Sequence, residues 1–169
     1  MDKAEVAKLI RQVVLDLKCG LDPLMVLAIA ETESSLVPYA VRYEPHWRYF
    51  TMVDKYAKSM KPIITTETER VMQSTSWGVM QVMGSVAREL GHRGHLTELV
   101  DARLSTEYGV RHLMRLRRQD YTDLDLISAY NSGRAYKFPN GRYANQNYVD
   151  KVETAWMRLR LAENPVVIG

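Results

Sequence analysis

Apolar residues recur at steps of three and four along most of this chain, and that rhythm confines it to a mainly α-helical fold. Val6, Leu9, Ile10, Val13, Val14 and Leu17 form one stripe, with Asp2 placed to cap its start and Gly20 to stop it. Asp22-Pro23 opens a second helix, the proline falling in the first turn, where its missing N–H costs nothing. That helix runs through Leu24, Met25, Leu27, Ala28 and Ile29 to Glu33, and Pro38 bars its continuation. From Pro38 to Ser76 the pattern is less regular. Trp47, Phe50, Val53, Asp54 and Ala57 fit a short helix broken by Pro62, and Thr66 to Gln73 fits another turn or two. Helical spacing returns from Gly78 to Leu90, with Val79, Val82, Met83, Val86 and Leu90 on one face and Gly91 as the stop. Asp101 is placed to cap a helix reaching about Arg118, and a shorter helix runs from about Asp123 to Asn131, ending at Gly133. A last helix carries Tyr148, Val149, Val152, Trp156 and Leu159. Asn140-Gly141 has no alternating run on either side, so no hairpin is expected there.

The 169 residues are enough for one domain with its own core, and no repeat or linker divides them, so residues 1–169 are read as a single domain. With 46% hydrophobic and 25% charged residues, the balance argues against disorder. Cys19 is the only cysteine, which excludes an intrachain disulfide. His92 and His95 flank Arg93-Gly94 without a third ligand at zinc-site spacing, so no metal site is expected. No phosphate-cradling glycine loop and no serine nucleophile elbow is present.

The net charge of +3 is concentrated in Arg111, Arg115, Arg117 and Arg118 and in Arg158 and Arg160. Such patches suit anionic partners, although a solvated helix face is the commoner explanation. No nucleic-acid fold signature accompanies them, so no nucleic-acid partner is expected. No apolar stretch is long enough to span a bilayer, so no stable membrane insertion is expected either. The N-terminus lacks a basic region followed by an apolar run, and the expectation is synthesis in the cytoplasm as a monomer without a signal peptide.

Chemistry concentrates at Glu33. It ends a strongly apolar helix, where desolvation and the negative end of the helix dipole both disfavour its charge. A raised pKa is what a general acid working near neutral pH requires. Taken alone, Glu31 and Glu33 read equally well as ordinary surface carboxylates.

The surrounding residues separate them. Ala28-Ile29-Ala30-Glu31-Thr32-Glu33-Ser34-Ser35-Leu36-Val37-Pro38-Tyr39-Ala40 resembles the first motif of the soluble lytic transglycosylases, which carries the catalytic glutamate. Gly78-Val79-Met80-Gln81-Val82-Met83 resembles that family's G-L-M-Q-x-M motif, Ala129-Tyr130-Asn131-Ser132-Gly133 its A-Y-N-A-G, and Tyr148-Val149-Asp150-Lys151-Val152 its closing Y-V-x-K-V. Each piece is weak by itself. Together and in order they cover about residues 21–155. Val79, Ser132 and Leu36 are mild departures; the stretch from Val41 to Thr75 is longer than in compact members.

The resemblance implies a mainly α, lysozyme-like single domain of glycoside hydrolase family 23, the family of goose-type lysozymes. It implies non-hydrolytic cleavage of the β-1,4 bond between N-acetylmuramic acid and N-acetylglucosamine in peptidoglycan, leaving 1,6-anhydromuramoyl ends, with Glu33 as sole acid/base and no cofactor, so that the usual two-carboxylate scheme does not apply. Gln81, Met80 and Met83 would line the glycan groove, with core packing the competing reading for both methionines. Tyr130 would sit by Glu33, orienting it or the substrate's acetamido group, Asn131 would shape the site or bind sugar, and Ser34 would hydrogen-bond within it. For Asn131 a buried polar pair at a helix end is the competing reading. Tyr148 is expected to pack beneath the groove.

Arg42-Tyr43-Glu44-Pro45-His46-Trp47 resembles a segment of phage-encoded relatives, and Glu44 is a candidate second carboxylate that would position a water. A hydrolytic muramidase and an inactive wall-binding protein are therefore the alternatives. The substrate lies outside the inner membrane, so the expected site of action is the cell wall in the periplasm. Arrival there would follow release or delivery, as by a phage endolysin, a virion-associated enzyme or a secreted effector.

Overall fold

A computed structural model describes residues 1–60 and 62–163. Among these residues, eight α-helices surround a small three-stranded antiparallel sheet. Helix α1 (Lys3–Asp16) starts with a reciprocal capping box between Asp2 and Glu5 and buries Val6, Ile10, Val13 and Val14. Helix α2 (Pro23–Ser34) begins with the Asp22 carboxylate accepting from the Leu24 N–H at 2.8 Å. Every residue from Leu24 to Ala30 is buried. A helix apolar on all sides belongs inside a protein, and α2 accordingly lies between α1 and the last helix, α8 (Gln146–Glu163). Helices α6 (Ala102–Leu116) and α7 (Asp123–Ser132) follow their expected spans; Asp101 caps the first, and Gly133 closes the second at φ 82°.

One helix stop, one helix start and one long helix differ from expectation. Helix α1 ends before Gly20, with Lys18 taking the left-handed turn at φ 47°. Of the short helix expected near Trp47, only Val53–Ser59 (α3) is helical, and Trp47 and Phe50 precede it; α4 spans Thr66–Gln73 as expected. The stretch from Gly78 to Leu90 is not one helix. Strands β1 (Val41–Tyr43), β2 (Thr75–Trp77) and β3 (Val82–Met83) pair in that order, with Val41 opposite Trp77 and Ser76 opposite Met83. Helix α5 covers only Gly84–Glu89. The turn joining β2 to β3 needs left-handed backbone at Gly78 (φ 71°) and Gln81 (φ 49°), which a continuous helix does not permit. Gly78 also has no space for a side chain, because a Cβ there would lie 2.0 Å from the Leu99 carbonyl oxygen. The helical spacing of Val79, Val82 and Met83 therefore serves a tight hairpin and the start of a helix, not one long helix.

The hydrophobic core joins α1 and α2 to Val79, Met80 and Val82 of the hairpin, to Tyr108, Val110 and Leu113 of α6, and to Val149, Val152 and Trp156 of α8. Met80 is fully buried and packs on Gly109, where a Cβ would come within 2.8 Å of its side chain. The sheet and the C-terminal end of α2 thus share one edge of the core, and Glu33 stands at that junction.

Candidate active site

Helix α2 stops abruptly: Ser35 and Leu36 both adopt left-handed backbone, at φ 53° and 63°, and the chain turns into β1. Glu33, in the last turn, is left half-buried on the wall of a groove of about 800 Å³. Burial raises its pKa above the ordinary value of 4.5, against the opposing pull of a hydrogen bond from Tyr148 and the nearby Arg42 cation. The Tyr148 hydroxyl donates to Glu33 Oε1 at 2.6 Å from α8. The contact fixes one carboxyl oxygen, and its partner is the aromatic residue expected only to pack beneath the groove.

Of the residues anticipated around Glu33, Gln81, Met83, Tyr130, Asn131 and Glu44 line the groove with it, whereas Ser34 and Met80 do not. Ser34 Oγ donates to the Val79 carbonyl at 2.8 Å, with the Ala30 carbonyl at 3.1 Å, and so ties the end of α2 to the hairpin. Met80 is a core residue, since its full burial removes it from any ligand. The Gln81 amide is taken up by the protein itself. Its Nε2 donates to the carbonyls of Ala40 and Gly78 at 3.0 and 2.9 Å, and its Oε1 accepts from Ser76 Oγ at 2.9 Å. These bonds hold the residue in its left-handed conformation, so it presents the groove with a braced surface.

Tyr130 lies beside Glu33 closely enough for that carboxylate to raise its pKa further beyond the effect of burial, yet its hydroxyl donates elsewhere, to the Met80 carbonyl at 2.7 Å. Tyr130 thus stands beside Glu33 without hydrogen-bonding it, and Tyr148 makes that contact. Asn131 is exposed at the end of α7, and its orientation follows from its neighbour. Asn145 Nδ2 donates to the Ser128 carbonyl and to Asn131 Oδ1, each at 3.0 Å, while Asn145 Oδ1 accepts from Ser128 Oγ at 2.7 Å. A carbonyl only accepts, so the Ser128 carbonyl fixes the Asn145 amide, which in turn fixes that of Asn131. The Asn131 amide N–H groups face away from Asn145.

Glu44 follows β1, where its N–H donates to the Ser74 carbonyl at 2.8 Å, and its Oε1 pairs with Arg42 Nε at 2.5 Å. Trp47 and Tyr49 meet edge to face, with centroids 5.3 Å apart, and add an aromatic section to the groove wall suited to the C–H faces of a sugar ring. Trp47 is anchored by its Nε1, which lies 2.6 Å from the Tyr49 carbonyl and 3.0 Å from Ser85 Oγ. His112, Arg115 and Arg134 also reach the groove; none of the three stands out in the sequence as a site residue. Among the described residues, no group of three or more His, Cys, Asp or Glu side chains is placed to hold a metal ion, and no helix is long and apolar enough to cross a membrane. His92 is instead buried against its surroundings, with Nε2 3.1 Å from the His95 carbonyl.

The arrangement can deliver a proton from a half-buried carboxyl into a partly aromatic, hydrogen-bonding groove. Comparison with curated proteins and with solved structures returned no match. The profile of the transglycosylase SLT domain, however, matches residues 15–151, a span that carries Glu33, the hairpin, Tyr130, Asn131 and Tyr148. With its mainly α, lysozyme-like fold, the chain belongs to that family, the soluble lytic transglycosylases, whose substrate is peptidoglycan.

Proposed function

We propose that this protein cleaves the β-1,4 bond between N-acetylmuramic acid and N-acetylglucosamine without adding water, leaving 1,6-anhydromuramoyl ends. The observation that carries this reading is Glu33: a carboxyl with a raised pKa, gripped at one oxygen by Tyr148 and open to the groove. Glu33 gives its proton to the bridging oxygen, and the N-acetylglucosamine side departs as an alcohol. The substrate's 2-acetamido group stabilises the positive charge at the anomeric carbon. Glu33, now a carboxylate, takes the proton from the muramoyl C6 hydroxyl, whose oxygen closes the ring. The proton count balances, and the enzyme returns to its starting state.

Glu44 supports the hydrolytic alternative, because it lines the same groove and could direct a water. Its pairing with Arg42 weighs against that role, since one carboxylate oxygen is already committed to a cation. Digestion of purified sacculi followed by mass measurement of the muropeptides separates the two. Products lighter by one water support ring closure; reducing ends alone exclude it. We further propose that the protein acts on the wall after release or delivery, as a phage endolysin or virion-associated enzyme would, a reading supported by the resemblance at Arg42 to Trp47. Expression in a bacterial cytoplasm then causes lysis only once the inner membrane is permeabilised, and lysis without permeabilisation contradicts it.

A further inference from the structure

We propose that His112 is a fixed hydrogen-bond donor in the groove that recognises the acetamido carbonyl of an N-acetylated sugar. The inference rests on the glycan-cleaving function proposed above and assigns a binding role to a residue outside every sequence motif.

His112 sits on α6 and lines the groove, its ring 5.3 Å from that of Tyr130 at a tilt of 55°. Arg115, one turn further along the helix, places Nη2 3.1 Å from His112 Nδ1. A guanidinium can only donate, so Nδ1 must be the unprotonated, accepting nitrogen and Nε2 must carry the proton. Arg115 is itself held from α5, by Glu89 Oε2 at 2.5 Å from its Nη1. Burial, reinforced by the Arg115 cation, pushes the imidazole pKa down to about 4, so the ring stays neutral at physiological pH.

The result is a donor with one tautomer and no second role. Among the described residues, Nε2 has no hydrogen-bond partner in the protein, although the residue lines the groove. A sugar hydroxyl both donates and accepts and can turn to suit its neighbour. An acetamido carbonyl accepts only and is the stronger acceptor, which makes it the complement of a group that only donates. Every sugar of the proposed substrate carries such an amide.

The test is calorimetric binding of the N-acetylglucosamine hexamer and of its de-N-acetylated counterpart, in a Glu33→Gln background that prevents turnover. His112→Leu is expected to weaken binding of the acetylated hexamer about tenfold, the scale of one hydrogen bond. His112→Gln, which keeps an N–H donor, restores most of it. Neither substitution changes binding of the de-N-acetylated hexamer. Equal binding by folded His112→Leu overturns the proposal, as does an equal loss for both hexamers, which would mark a structural role. If His112→Leu does not fold, Arg115→Leu carries the comparison: release of the tautomer must weaken binding of the acetylated hexamer alone, and unchanged binding overturns the proposal. Failure of the Glu33→Gln reference itself to bind the acetylated hexamer removes the glycan function, and this inference with it.

Discussion

At the scale of single residues, two opposing influences set the behaviour of Glu33: burial raises its pKa, and the hydrogen bond from Tyr148 lowers it. Tyr148→Phe removes the second and leaves the first. The alkaline limb of the pH profile of kcat/KM should therefore move to higher pH. At the same time kcat should fall by about tenfold or more, because the carboxylate formed after proton donation loses a charge-assisted bond worth about 1.5–3 kcal/mol. An unmoved limb would contradict the geometry. The same shift has a consequence for stability. A carboxyl whose pKa is raised by folding stabilises the folded state fully below its ordinary value of 4.5, and that contribution is lost as pH rises through the raised value. Glu33→Gln should thus melt at a higher temperature than wild type at pH 7, and the two melting curves should converge as the pH falls to 4.5. The importance of Glu33 was legible in the sequence only through the words around it, since Glu31 two positions earlier has equal local claims. Its contact with Tyr148 was not legible: the two lie 115 residues apart, and no periodicity connects them. His112 was hidden for a related reason, being an isolated polar residue on a helix whose spacing reports only its apolar face.

Elements with local instructions were readable, and elements held by distant contacts were not. Asp2, Asp22 and Asp101 mark helix starts because a short acceptor side chain can reach an unpaired backbone N–H a few residues on. The hairpin from Thr75 to Met83 escapes such reading. Its turn is held by the Gln81 side chain reaching back to the Ala40 carbonyl and by the close approach of Gly78 to Leu99, both invisible to periodicity. Equally unsignalled is the buried ion pair joining α4 to α5. Arg88 contacts Glu69 through Nε at 2.8 Å and Nη2 at 2.9 Å, with both side chains fully buried, and its Nη1 donates to the carbonyls of His92 and Gly94. Its guanidinium also stacks over Tyr56 of α3, 4.4 Å from the ring centroid. The pair therefore knits the segment between the first two sequence motifs to the hairpin side of the groove. Glu69→Leu leaves a buried cation unpaired and should cost about 3–5 kcal/mol in urea denaturation. Adding Arg88→Met removes that cation, so the double variant should be more stable than Glu69→Leu alone; a double variant that is less stable would contradict this account of the pair.

Across the whole molecule, the mainly α architecture followed from the rhythm of apolar residues, while the groove depended on where four separated segments converge. The end of α2 supplies the acid, the hairpin braces the floor beside it, and α7 and α8 bring Asn131 and Tyr148. Motif order located all four segments, while the part each residue plays follows from contacts between the segments. Ser34 and Met80 serve the hairpin's construction, Gln81 both braces its turn and lines the groove, and Tyr148 bonds the acid while Tyr130 stands beside it. What these findings share is that a motif can be retained for building the groove as readily as for touching its ligand. The central claim remains that one carboxyl both donates and recovers the proton. Its most direct test is the rate at which wild type and Glu33→Gln release soluble muropeptides from purified sacculi. The account predicts a loss of about 10²–10⁴-fold or more in the variant, the scale of a positioned acid/base, with binding to sacculi retained. Release by a folded Glu33→Gln variant at a rate close to that of wild type would contradict it.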